Sequence, residues 1–228
     1  MEARTCPARL DGTLDPATSR WLWLVKWLLV LPHLLVLAFL WLAVLLVTVA
    51  AGVSILVTSR YPRPLFDFSV GVMRWTWRVG FYSISAFGTD RYPPFTLRPD
   101  PTYPADFEVD YPERLSRGLV LIKWWLLALP QLVIVGVLAG GFGMHAGNLI
   151  GILALVAAVI LAATRRYPPE LFDLVMGFNR WCYRVLAYVA LMRDEYPLFR
   201  LDTGGPDPGS IPAAPLPTPH PTGTVSAG

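Results

Sequence analysis

The sequence predicts an all-α integral membrane protein made of two tandem repeats, each a transmembrane helical hairpin followed by an amphipathic interfacial helix. Three observations lead there. Two blocks, Trp27 to Ser59 (33 residues) and Trp124 to Thr164 (41 residues), contain no Asp, Glu, Lys or Arg. The residues after the first block recur, in order, after the second. The 19 basic residues all lie outside the two blocks, and basic residues flank both ends of each.

The uncharged blocks decide the solvent. A helix in a soluble core rarely stays uncharged beyond ~14 residues, whereas a bilayer span needs ~20. Hydrophobic residues make up 54% of the 228-residue chain and charged residues 15%, far from a soluble average. The net charge of +3 is small and the basic residues adjoin the apolar blocks, which argues against nucleic acid as a partner. Cys6 and Cys182 are too far apart for a disulfide framework or a metal-ligand spacing. No apolar stretch precedes Cys6, so the first block itself is expected to direct insertion.

The repeat sets the organisation. Arg60-Tyr-Pro-Arg-Pro-Leu-Phe-Asp-Phe returns as Arg166-Tyr-Pro-Pro-Glu-Leu-Phe-Asp-Leu. Gly71, Arg74, Trp75, Arg78, Val79 and Tyr82 are matched 106 residues later by Gly177, Arg180, Trp181, Arg184, Val185 and Tyr188. Each copy closes on Asp-x-Tyr-Pro-x-Phe, Asp90 to Phe95 and Asp194 to Phe199. Upstream, Ser19-Arg20, Lys26-Trp27 and Pro32 pair with Ser116-Arg117, Lys123-Trp124 and Pro130. The expected divisions are an N-terminal cytoplasmic segment (1–18), repeat 1 (19–97), a linker (98–113), repeat 2 (114–201) and a disordered Pro-rich tail (202–228). Seven prolines between Pro206 and Pro221 carry the last of these.

A single helix over Trp21 to Ser59 would have 39 residues. That is ~58 Å against a hydrocarbon core of ~30 Å, so a hairpin of two tilted spans fits better. In the second copy Gly140 to Gly147 supplies a turn between two apolar runs. Hairpins also put every basic residue on one side, as the positive-inside rule requires. The expectation is four spans with both termini cytoplasmic and a pseudo-twofold axis along the membrane normal.

After each block comes the stretch richest in candidate functional residues. At ~100° per residue Asp67, Gly71, Arg74, Arg78 and Tyr82 share one narrow face of a helix from Leu65 to Phe87, and Asp173, Gly177, Arg180, Arg184 and Tyr188 repeat it. A mostly apolar helix with a thin cationic stripe suits the bilayer interface. Trp75, Trp77, Tyr82, Trp181 and Tyr188 then act as interfacial anchors. Arginine grips phosphate in a bidentate way, so Arg74, Arg78, Arg180 and Arg184 are candidate contacts to anionic lipid or to a partner, set against a plain solvated helix face. Asp67 and Asp173 read as first-turn acids favoured by the helix dipole.

Pro32-His33 and Pro130-Gln131 place a polar side chain inside each first span. Replacement of His33 by Gln131 in the second copy favours hydrogen bonding over metal or acid–base work. Gly136-x-x-x-Gly140 and Gly143 to Gly151 allow close helix approach or simply a turn. Six of the nine tyrosines precede proline, a pattern that stops helices. No phosphate loop, zinc-binding helix motif, Cys-x-x-Cys pair or nucleophile elbow occurs.

These residues carry a family resemblance. The run from Arg60 to Phe95, with Lys26-Trp27 and Pro32-His33 before it, resembles the bacterial membrane family catalogued as domain of unknown function 4389. It covers residues 10–100 and again 107–201; Gln131, Glu195 and Leu198 depart from the pattern in the second copy. The family has no established common activity, so the resemblance implies fold and a membrane location only. The function expected is a non-enzymatic protein of the bacterial plasma membrane that organises anionic lipid or an envelope-associated protein complex. The alternative is a small transporter or channel subunit, supported by the repeat and by His33 and Gln131. No cofactor, metal or nucleic acid is expected; the expected partners are anionic membrane lipids, with a membrane-protein partner or homo-oligomer beside them.

Overall fold

The computed structural model describes residues 8–15, 18–19, 21–83, 85–123, 127–139, 149–197 and 201. Its elements run β1 (Ala8–Gly12), α1 (Trp23–Thr58), α2 (Arg63–Tyr82), β2 (Ala105–Val109), α3 (Arg117–Ile122), α4 (Ala128–Ala139), α5 (Leu149–Thr164) and α6 (Pro169–Val189). The expected tail (202–228) and the Gly140 to Gly147 turn lie outside the described residues.

The four-span, all-α architecture is overturned. The first apolar block is one unbroken helix, α1, of 36 residues, with Pro32 inside it and no turn. Among the described residues of the second block α4 has 12 residues and α5 has 16, each short of the ~20 a span requires. Among the described residues only Leu24–Thr58 is long and apolar enough to cross a membrane. With one such helix, neither four crossings nor cytoplasmic placement of both termini is supported. The chain also holds an antiparallel two-stranded sheet, β1 with β2.

α1 packs by a single stripe. Lys26, Val30, His33, Leu37, Val44, Thr48, Ala51 and Ile55 are buried, at helical spacings that keep them on one side. The remaining surface exposes Leu28, Leu35, Phe39, Leu46, Val53 and Val57. Ser59 ends the helix in the left-handed region (φ 58°), and Tyr61-Pro62 turns the chain back into α2. α2 then runs against α1: Val72, Trp75, Val79 and Tyr82 form one cluster with Val30, Leu37 and Val44, and Trp41 Nε1 donates to Thr76 Oγ1 at 3.1 Å.

The interfacial placement of the Arg–Trp helix is likewise overturned. α2 and its copy α6 are core helices, with Met73, Trp77 and Phe81 of α2 and Val175, Met176, Trp181 and Val185 of α6 in one cluster. Their sequence periodicity is amphipathic, but their cationic stripe is covered by the chain's own strands rather than by headgroups.

The segments expected to be a terminal extension and a linker supply those strands. β1 precedes repeat 1 yet packs on α6; β2 precedes repeat 2 yet packs on α2. Leu10 and Phe107, related by the same 97-residue offset as Lys26 and Lys123, face each other at the centre of the ladder. Ala8 pairs with Val109 and Gly12 with Ala105, the symmetric arrangement about that central pair. Trp77 and Tyr183, equivalent at the 106-residue offset, also meet each other, ring centroids 5.6 Å apart. A local pseudo-twofold therefore passes through the sheet and between α2 and α6, and each repeat lends its leading strand to the other.

Candidate functional site

The arginine face of α2 is a clamp. Arg74 Nε lies 2.8 Å from Asp106 Oδ1, and its Nη1 donates to the Leu97 carbonyl at 3.1 Å. Arg78, fully buried, donates from Nε to the Ala105 carbonyl (3.3 Å), from Nη1 to the Arg98 carbonyl (3.0 Å) and from Nη2 to Asp106 (3.2 Å). Gly71 shares this face because chain 97–98 crosses there; a Cβ would sit 2.8 Å from the Leu97 side chain and 3.0 Å from its carbonyl oxygen. Burial lowers the Arg78 pKa and the neighbouring Arg74 adds to the effect, while Asp106 opposes it. The clamp straps β2 and its approach onto α2. In the second repeat Arg180 Nε donates to the Leu10 carbonyl at 3.2 Å, holding β1 to α6; Arg184 is buried beside it.

None of the expected interfacial anchors lies at a surface. Trp75, Trp77, Tyr82, Trp181 and Tyr188 are all buried. Trp77 Nε1 donates to the Asp11 carbonyl at 2.9 Å, which ties α2 to β1 as well as to β2. Trp75 Nε1 donates to His33 Nδ1 at 3.1 Å. His33 stacks on Phe95 with centroids 4.0 Å apart and tilts against Tyr92 at 4.9 Å. In the second copy Gln131 Nε2 donates to Tyr196 Oη at 2.6 Å. Tyr92 and Tyr196 are equivalents, so each post-proline polar residue meets the Tyr-Pro run that closes its own repeat. Both make hydrogen bonds to side chains of their own repeat, and His33 does so from within Leu24–Thr58.

Lys26 with Asp90 and Lys123 with Asp194 form a second duplicated constellation. Lys26 is buried, with Nζ 2.7 Å from Asp90 and 2.6 Å from the Thr89 carbonyl it donates to. Its ammonium lies 4.9 Å over the Tyr82 ring. Lys123 repeats the pattern with Asp194 at 3.0 Å and the Tyr188 ring at 4.5 Å. In each copy the same aspartate also accepts from a serine backbone, Ser19 N–H on Asp90 and Ser116 N–H on Asp194. The clasp ties the start of the apolar block to the end of the repeat. Its signal was present: Ser, Lys-Trp and Asp-x-Tyr-Pro occur twice, and buried charge requires a partner. Asp106, shared by two arginines, occurs on one strand only and had no such signal.

The family assignment follows from the same residues. The sequence profile of a domain of unknown function, DUF4389, matches residues 20–96 and 119–200. The chain belongs to the DUF4389 family. Two matches in one chain make it a tandem DUF4389 protein, and their limits fall on the two clasped units rather than on the strands they exchange. No curated protein and no solved structure matches the chain.

Proposed function

We propose that this tandem DUF4389 protein is a non-enzymatic membrane-bound scaffold that organises anionic lipid at the membrane surface. The observation that carries the reading is the outward side of α1. Only 22% of its most apolar stretch is buried, whereas the core helix of a soluble protein is mostly buried, which supports a membrane contact. Leu129, Val133 and Ile134 of α4 and Ile152, Leu155 and Val159 of α5 are exposed as well. Large exposed apolar areas mark membrane or protein contacts.

The seating favoured is along the bilayer plane. β2 and the residues after it follow α2 from Arg78 to Arg63, where the guanidinium sits 4.1 Å over the Tyr111 ring. That is ~22 Å of helix flanked by polar chain. Arg9 pairs there with Glu108 and Asp110, whose side chains are 55% and 50% exposed. Because α1 lies alongside α2, a bilayer normal parallel to α1 would carry these charges and an open sheet edge to membrane depth, where unpaired backbone is not tolerated. Supporting the non-enzymatic part, the buried cations Arg74, Arg78, Lys26 and Lys123 are engaged by carboxylates and carbonyls of their own fold. The transporter reading has less support, since His33 and Gln131 bond to Trp75 and Tyr196.

Cysteine probes at Leu31, Leu45 and Val57, introduced with Cys6→Ser, test both parts of the placement. After reconstitution the protein should resist alkaline carbonate extraction, and lipid-borne quenchers should find the three probes at one depth. A graded depth profile would establish a crossing helix instead, and release by carbonate would defeat the membrane reading altogether.

A further inference from the structure

At the C-terminal end of α1 the two repeats are joined by a cationic basin. Leu115 N–H donates to the Ser59 carbonyl at 3.0 Å, and Arg117 Nε donates to Ser59 Oγ at 2.7 Å. These bonds bring the start of repeat 2 against the end of α1 and place Arg114 and Arg117 beside Arg60. The result is a depression of about 430 Å³ lined by Thr58, Ser59, Arg60, Arg114 and Arg117. All three arginines are exposed, and among the described residues no carboxylate lines the basin.

The fold itself does not call for so much charge there. A helix C-terminus carries about half an elementary negative charge, which one cation offsets. The contrast with Arg74 and Arg78 is direct: those two share Asp106, whereas the basin offers guanidinium groups to something outside the chain, its two hydroxyls, on Thr58 and Ser59, being engaged by Ser54 and Arg117. Guanidinium pairs match phosphate oxygens in a bidentate geometry. The surroundings choose the source of that phosphate. Val57 precedes the basin at 69% exposed, and Leu121 and Ile122 follow it at 62% and 53%. A phosphate site bordered by exposed apolar side chains suits a headgroup whose acyl chains lie beside it. The end of α5 repeats part of this rim, with Arg165 in the left-handed region (φ 58°) and Arg166 after it, both exposed.

We propose that Arg60, Arg114 and Arg117 form a binding site for the phosphate of an anionic phospholipid headgroup. The site rests on the membrane-bound reading above and names the ligand class that reading left open. It also moves the lipid contact away from the arginine stripe, which the fold covers.

The test is native mass spectrometry of the full chain after reconstitution in equal phosphatidylglycerol and phosphatidylcholine. Wild-type protein should retain phosphatidylglycerol preferentially. Each basic residue near an anionic surface contributes ~1 kcal/mol, so R60Q/R114Q should lower the preference by about 30-fold. Among the described residues neither side chain makes a bond that the substitution would remove, and R60K/R114K should restore part of the preference. An unchanged preference in a folded R60Q/R114Q protein, or none in wild type, overturns the site. Displacement of the lipid by inorganic phosphate alone overturns the lipid source. Failure of the membrane reading has a separate signature, wild-type protein that washes off with carbonate.

Discussion

Replacing Arg78 with alanine separates a structural arginine from a lipid-facing one. The side chain is fully buried and gives three hydrogen bonds, to the Ala105 and Arg98 carbonyls and to Asp106. Deleting one partner of a buried ion pair costs ~3–5 kcal/mol, and an orphaned buried carbonyl adds ~1–3 kcal/mol. Two features reduce the total: Asp106 keeps Arg74 at 2.8 Å, and its side chain is 35% exposed. The expected loss is ~4 kcal/mol of stability, a large part of the ~5–15 kcal/mol of a typical domain. Denaturant titration followed by tryptophan fluorescence measures it, because Trp77 and Trp181 are buried in the core. Asp106→Ala should show a smaller loss, and the double variant should fall short of the sum of the singles. An Arg78→Ala protein destabilised by less than ~1 kcal/mol, yet with reduced anionic-lipid retention, would refute the clamp and return the stripe to the membrane surface.

Three further outcomes follow from the same geometry. Asp90→Ala and Asp194→Ala each leave a buried lysine without its carboxylate and should destabilise by ~3 kcal/mol, read by the same titration; a neutral effect would mean the clasp is dispensable. Burial pushes the Cys182 thiol up to about 12, so in a Cys6→Ser background it should resist alkylation at neutral pH until the protein unfolds; rapid labelling of the native form would contradict its place in the core. Because β1 packs on α6 and β2 on α2, a chain cut between Leu97 and Tyr103 should yield halves that co-purify when co-expressed, while either half made alone should fail to fold; independent folding would mean that the strand exchange contributes little.

The duplication and the family were legible in the sequence, because local order survives in it: Arg-Tyr-Pro, Leu-Phe-Asp and Asp-x-Tyr-Pro recur at constant offsets. So were the helical character of both Arg–Trp segments and the apolarity of the first block, since periodicity and uncharged length are properties of consecutive residues. What faces each helix is not such a property. The stripe of Arg74 and Arg78 reads the same whether it meets headgroups or a strand. Only the return of 97–109 across α2, with Asp106 between the two guanidinium groups, decides for the strand. Likewise a 33-residue uncharged block permits a hairpin or one helix, and α1 stays whole because α2 and the Lys26 clasp support one stripe along it. Tertiary structure alone also supplied the exchange of strands, since Ala8–Gly12 and Ala105–Val109 are short, lie 97 residues apart and form a ladder only by pairing with each other. Sequence determined the parts and their copy number; long-range pairing of buried charge and backbone, which no local pattern encodes, determined which surfaces remain free to act.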